Sequence, residues 1–150
     1  MSAELDASVY KDILEQAPDA ILYADRAGTI RLWNQGAERI FGFSATEAIG
    51  QSLDLIIPER QRQRHWGGYH QTMATGITKY GTKTLTVPAL QQGGEQLTTE
   101  FSIVMLKDDQ GRPQGVAAIM RDVSARRAEE KALRDRLTVL EARVAATEVK

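Results

Sequence analysis

The sequence predicts an α+β domain: a five-stranded antiparallel sheet with short helices on one face, one helix in front and a long helix behind. Three observations predict it. Two short strand-like runs, Ala20 to Asp25 and Thr29 to Trp33, flank the turn signal Asp25-Arg-Ala-Gly28 and read as a hairpin. Three later runs are separated by Gly-containing turns and give a meander. The segment from Ser124 to Lys150 contains no Gly or Pro and carries an apolar seam among charged flanks.

The elements follow in order. Leu5, Val9 and Ile13, with Leu14 beside them, form the apolar stripe of a short leading helix, ended by Pro18. This helix can cover the sheet or pair with a partner chain. After the hairpin, Asn34 is placed to cap a helix through Phe41, with Ala37, Ile40 and Phe41 as its apolar face and Gly42 as its stop. Ser44-Ala-Thr-Glu47 has capping-box spacing and starts another short helix, closed by Gly50. The stretch Pro58 to Gly76 holds the pair Gly67-Gly68, and each Gly costs a helix about 1 kcal/mol relative to Ala. It is expected to form two short helical turns around a flexible joint. From Thr82 the period becomes two. Leu85, Val87 and Ala89 alternate with Thr84, Thr86 and Pro88. After the turn Gln92-Gly-Gly94, Leu97, Thr99, Phe101, Ile103 and Met105 recur at alternate positions. Asp108-Asp-Gln-Gly111 turns the chain into Val116 to Met120, a nearly all-apolar run expected at the centre of the sheet. Ser124 is placed to cap the last helix. Leu133, Leu137, Leu140 and Val144 follow 4-3-4 spacing, two heptads of a seam. That helix either packs back on its own sheet or, as preferred here, leaves the domain and pairs in parallel with a copy of itself. The chain therefore divides into a leading helix (1–17), a core (18–124) and an exit helix (125–150).

Composition narrows the chemistry. With 150 residues the chain has the size of one domain with a short appendage. The 42% hydrophobic and 26% charged content is globular. Basic and acidic residues nearly cancel, 19 against 20, so no global field draws the chain to nucleic acid or an anionic membrane. The absence of cysteine excludes disulfides, thiolate metal centres and thiol nucleophiles. The two histidines, His65 and His70, are too few for a multi-histidine site. The longest apolar run, Val116 to Met120, is far short of the roughly 20 residues of a spanning helix, and Met1 to Asp6 does not open a signal peptide. A cytoplasmic location is expected.

The order of elements and two blocks of sequence carry a family resemblance. Asn34-Gln-Gly-Ala-Glu-Arg-Ile-Phe-Gly-Phe-Ser-Ala-Thr-Glu-Ala-Ile-Gly50 is similar to the stretch of PAS domains that leads from the second strand into the first helices. Gly115-Val-Ala-Ala-Ile-Met-Arg-Asp-Val-Ser124 is similar to their last strand and its closing Asp-x-Thr/Ser signature, here Asp122 and Ser124. The resemblance covers about residues 8 to 124. It implies a PAS fold with an N-terminal cap helix and a C-terminal coiled-coil signalling helix. It also implies a sensory or dimerising role in signalling, with room for a small ligand between sheet and helices. Fold alone does not choose that ligand.

Within the family, flavin photosensors use a cysteine, which this chain lacks. A dark flavin stays open, although no residue argues for it. The segment Arg64-His65-Trp66-Gly67-Gly68-Tyr69-His70-Gln71-Thr72-Met73-Ala74-Thr75-Gly76 resembles the haem-bearing segment of oxygen-sensing PAS histidine kinases. By that resemblance His65 is the axial ligand of a b-type haem. A neutral imidazole on a helix facing an apolar sheet suits that task. Tyr69 shares a helix face with His65 at i, i+4 spacing. Oxygen-binding relatives place an Arg on the following strand; the gapless equivalent here is Leu85, which would favour carbon monoxide or nitric oxide. Tyr80 is the nearest polar substitute, and Phe101 and Ile103 fall on the strand that would line the distal pocket. The plain alternative for His65 is a half-buried histidine in a cofactor-free or metabolite-binding PAS domain that serves as a dimerisation adaptor. His70 is expected to face solvent, and Trp33 and Trp66 to serve packing. Arg60, Arg62 and Arg64 read as a solvated face, or as partners for haem propionates; no groove-reading motif accompanies them. The turn acids Asp108 and Asp109 are expected to be solvated. No phosphate loop, nucleophile elbow or metal cluster is visible, so no catalysis is expected. Output is expected from a separate domain or partner such as a histidine kinase.

Overall fold

The computed structural model describes residues 4–78, 81 and 83–148. The order is α1 (Ala7–Gln16), β1 (Ala20–Asp25), β2 (Ile30–Trp33), α2 (Gln35–Phe41), α3 (Ala45–Ala48), a 3-10 turn (Leu53–Leu55), α4 (Glu59–Thr75), β3 (Leu85–Leu90), β4 (Gln96–Lys107), β5 (Pro113–Asp122) and α5 (Ser124–Glu148). The five strands form one antiparallel sheet in the order β2-β1-β5-β4-β3. The apolar run Val116 to Met120 sits in its central strand, as expected. Pro88 lies on β3, an edge strand, where its missing N–H costs no ladder bond on the open side.

Register fixes the two faces. Ala20 pairs with Met120, which pairs with Phe101, which pairs with Leu85, so these four share the inner face toward α2, α3 and α4. Ala20, Leu22, Ala24, Ile30 and Trp33 are buried there with Ala37 and Phe41 of α2. Trp33 and Phe41 meet with ring centroids 5.5 Å apart. Asn34 knots this half together. Its Oδ1 caps α2 at the Ala37 N–H (2.9 Å) and accepts the Ile21 N–H (2.8 Å), while its Nδ2 donates to the Leu14 and Asp19 carbonyls (2.8 and 3.0 Å). The capping box of Ser44 and Glu47 forms as the spacing predicts.

Two expectations change. The stretch 58–76 is one continuous helix, α4, of 17 residues rather than two turns about a joint. Gly67 and Gly68 lie on its open side, and docking of Trp66, Tyr69 and Met73 on the other side outweighs their propensity cost. Ser124 does not cap α5. It begins that helix, and its Oγ accepts the Thr98 N–H of β4 at 2.9 Å. The Ser124 N–H is instead taken by Asp122 Oδ1. Helix α5 follows the preferred alternative and does not pack back on the sheet: none of its residues is buried, and Leu133, Leu137, Leu140 and Val144 are all about half exposed or more. Its first turn is tied to β4 by Arg126 and Glu100, 2.8 Å apart. The stripe of α1 is also uncovered, with Ile13 63% exposed. Among the described residues no helix is long and apolar enough to cross a membrane.

Candidate functional site

The inner face of the sheet is covered unevenly. Its β1–β2 half is fully buried. At the far corner, Leu85, Phe101, Ile103, Met105 and Val116 also point inward but remain half-buried. An apolar surface turned toward the helix layer yet incompletely covered is a candidate surface for a small molecule.

Helix α4 borders that corner. Tyr69 is buried, and its hydroxyl donates to the carbonyls of Ala24 and Asp25 at the end of β1. Ala24 faces Val116 across the β1–β5 ladder, so Tyr69 lands at the rim of the corner. Burial, with the nearby Asp25 and Tyr23, pushes the Tyr69 phenol well up, so it stays a donor through the physiological range. Trp66 donates its indole N–H to Asp54 Oδ1 at 2.8 Å. Its six-membered ring lies on Gly28, whose φ of +83° closes the β1–β2 turn; a Cβ there would overlap the ring.

His65 sits between these anchors. Its ring centroid lies 4.8 Å from that of Trp66 and 5.7 Å from that of Tyr69. The i, i+4 pairing of His65 and Tyr69 therefore forms. Burial lowers the imidazole pKa; Asp54 pulls it back up and His70 adds to the lowering. The net direction is down, which keeps the imidazole neutral at pH 7, the form that ligates metal. Its Nδ1 is buried without a hydrogen-bond partner. A neutral imidazole on a helix beside an incompletely covered apolar face fits a haem held by His65.

The remaining expected residues fall as follows. Leu85 and Phe101 are direct cross-strand partners, and Ile103 is two residues on along the same face. The rings against His65 are those of α4 rather than Phe101. Tyr80 lies outside the described residues. His70 is exposed and stacks on Trp66 at 5.9 Å. Arg60 and Arg64 are exposed, whereas Arg62 is spent on the Ile57 and Asp54 carbonyls. Asp108 caps its own turn: it accepts from the Gln110 and Arg112 N–H groups and from the Arg112 side chain. Sequence reasoning passed over Asp54, Gly28 and Gln61. Asp54 and Gly28 meet Trp66 across long sequence gaps. Gln61 stands four residues before His65, and helical spacing alone would have flagged it.

This geometry can be set beside known proteins. A family model described as PAS fold matches residues 14–128. The chain belongs to the PAS family. Its PAS domain is 36% identical over 107 residues to the Sensor protein FixL of Bradyrhizobium diazoefficiens, a match that takes in 61% of this chain and 21% of that protein. It is 31% identical over 122 residues to an uncharacterised protein of Azorhizobium caulinodans, covering 81% of this chain and 16% of that one. The chain thus spans about a fifth or less of the length of these curated relatives. Among solved structures, the PAS domain of a protein from Colwellia psychrerythraea superposes with a TM-score of 0.69 at 22% identity, covering 79% of this chain and 97% of that one. A sensory box histidine kinase/response regulator from Burkholderia thailandensis superposes with a TM-score of 0.61 at 16% identity, covering 89% and 98%. These likenesses establish the five-stranded PAS architecture.

Proposed function

We propose that this PAS domain is the sensory module of a signal-transduction protein, a b-type haem gas or redox sensor with His65 as axial ligand. The observation that carries the reading is His65 itself: a neutral, half-buried imidazole on the helix beside an incompletely covered apolar corner. The similarity to a sensor protein and the resemblance of the 64–76 segment to haem-bearing PAS segments support it. When bound, the haem supplies an iron coordination position for a diatomic gas. The chain's own residues do the rest. His65 fixes the iron side, and Tyr69 and Trp66 hold α4 against the β1 end and the Gly28 turn. Leu85, Phe101 and Ile103 would present apolar surface and no hydrogen-bond donor to a bound gas, which favours carbon monoxide or nitric oxide over retained oxygen. Movement of α4 against the sheet is passed to β4 and from there to α5. Paired α5 helices of a homodimer, joined along Leu133, Leu137, Leu140 and Val144, carry it to an output domain such as a histidine kinase, in the cytoplasm. The domain itself has no catalytic role and binds neither nucleic acid nor membrane.

The test is an absorption spectrum after haem addition. A Soret band that is lost or shifted in His65→Ala is expected; an identical spectrum in that variant removes His65 from the role. A second reading rests on Leu85 standing where oxygen-binding relatives have Arg: the same apolar corner takes a small metabolite, or nothing, and the domain acts as a dimerisation adaptor. A protein that stays colourless after haem supplementation selects it. Light scattering on a chain ending at Ser124 tests the dimer, with loss of the dimer expected.

A further inference from the structure

We propose that Gln61 is the positioning residue for His65, its side-chain carbonyl accepting the Nδ1–H of the iron-bound imidazole. The proposal rests on the haem reading above and deepens it.

Among the described residues, two buried side-chain polar atoms lack a hydrogen-bond partner: Gln61 Oε1 and His65 Nδ1. They stand four residues apart on α4, and so on one face of it. A buried polar group without a partner is costly, so two on one helical turn call for a common explanation. Their chemistry is complementary. An imidazole that ligates metal through Nε2 carries its proton on Nδ1 and becomes a donor there. A glutamine carbonyl is an acceptor. A hydrogen bond from His65 Nδ1–H to Gln61 Oε1 would satisfy both atoms at once.

The other polar neighbours of His65 are engaged elsewhere. Asp54 receives the Trp66 indole N–H and lies 3.9 Å from the Arg62 guanidinium. The Tyr69 hydroxyl donates to the β1 carbonyls. His70 is exposed and stacked on Trp66. Gln61 is the acceptor left over. Such an outer partner fixes the tautomer and ring plane of a ligating histidine and raises its basicity. Losing one typically weakens metal affinity about 10- to 100-fold.

The experiment compares the full chain with Gln61→Leu and Gln61→Glu, each loaded with haem and reduced. Resonance Raman reads the iron–histidine stretch, and haem titration reads affinity. The expected order of stretching frequency is Glu above Gln above Leu, because a carboxylate is the stronger acceptor and leucine is none. Haem affinity is expected to fall at least about tenfold in Gln61→Leu and to recover in Gln61→Glu. A merely structural role would not produce that graded order. If wild-type shows a His65-dependent Soret band but all three proteins share one stretching frequency, the Gln61 assignment is overturned and the haem reading stands. If wild-type forms no His65-dependent band, both are overturned.

Discussion

Replacing Asn34 by alanine removes four hydrogen bonds at once. The side chain is fully buried and spends both its atoms. Oδ1 takes the N–H groups of Ile21 and Ala37, and Nδ2 feeds the carbonyls of Leu14 and Asp19, all within 2.8 to 3.0 Å. These four partners belong to β1, to the start of α2, to the end of α1 and to the loop after it. A neutral hydrogen bond is worth about 1 kcal/mol net, and a partner left buried and unmet raises the cost. The expected loss is therefore about 4 kcal/mol, a large share of the 5–15 kcal/mol that holds an ordinary domain together. At about 2–4 °C per kcal/mol for a chain of this size, the melting temperature should drop by about 8–16 °C. Urea titration followed by circular dichroism measures it, with an unchanged m-value as the sign that only the folded state lost energy. Asn34→Ser keeps an acceptor for the α2 cap but cannot supply two donors, so its loss should be about half as large. A loss below about 1.5 kcal/mol in Asn34→Ala would refute the reasoning, because it would mean that water reaches the four groups and satisfies them.

Four further outcomes are expected. Gly28→Ala forces a side chain into φ +83°, at about 1–2 kcal/mol, and drives Trp66 off the turn; a urea titration read by tryptophan fluorescence should show both a stability loss above that range and an altered native spectrum. The cofactor-free protein should lose stability as pH falls below 6.5, because burial lowers the His65 pKa in the fold and the unfolded chain takes its proton first; the contribution is full above 6.5 and is lost through the lowered value, and His65→Gln should flatten that part of a denaturation-versus-pH curve. Ser124→Ala leaves the Thr98 N–H without its acceptor and should cost about 1 kcal/mol by thermal melting. With α5 paired as proposed, charged residues at Leu137 and Leu140 together should give the monomer mass of 16.6 kDa in sedimentation where the unchanged chain gives twice that, with the core's circular dichroism unaltered.

What the sequence shows of this fold is what its physics keeps local. The capping box at Ser44 and Glu47, the Asn34 cap and the alternation of β3 and β4 act over two to four residues, and each is readable from spacing. The central place of β5 is readable from the run Val116 to Met120, which is apolar at every position, although the outward Ile119 stays 36% exposed. Gly67 and Gly68 misled because helix propensity is weak beside tertiary docking: Trp66 and Tyr69 anchor α4 to groups more than ten residues away. Ser124 misled for a similar reason, since a serine at a helix start has a second possible acceptor role, here toward Thr98. The other three bonds of Asn34 span 13 to 20 residues and leave no local trace. At the candidate site, the shared helix face of His65 and Tyr69 is legible from spacing. The incomplete cover over Leu85, Phe101 and Ile103 is not, because an alternating strand looks the same whether its inner face meets a helix or a hollow.

The exit helix follows β5 in the chain but is fastened to β4. The Val123 N–H donates to the Thr98 carbonyl, the Thr98 N–H to Ser124 Oγ, and Arg126 reaches Glu100. Two of the inward residues of the half-covered corner, Phe101 and Ile103, ride on that same strand. This makes α5 a lever with its fulcrum on the strand that carries that corner. At 1.5 Å per residue its 25 residues extend about 37 Å. A tilt of about 5° at the base then swings the free end by about 3 Å, more than half of one 5.4 Å helical pitch. A strand shift too small to disturb the core is thus magnified, by arm length alone, into an ångström-scale movement at the free end of the helix.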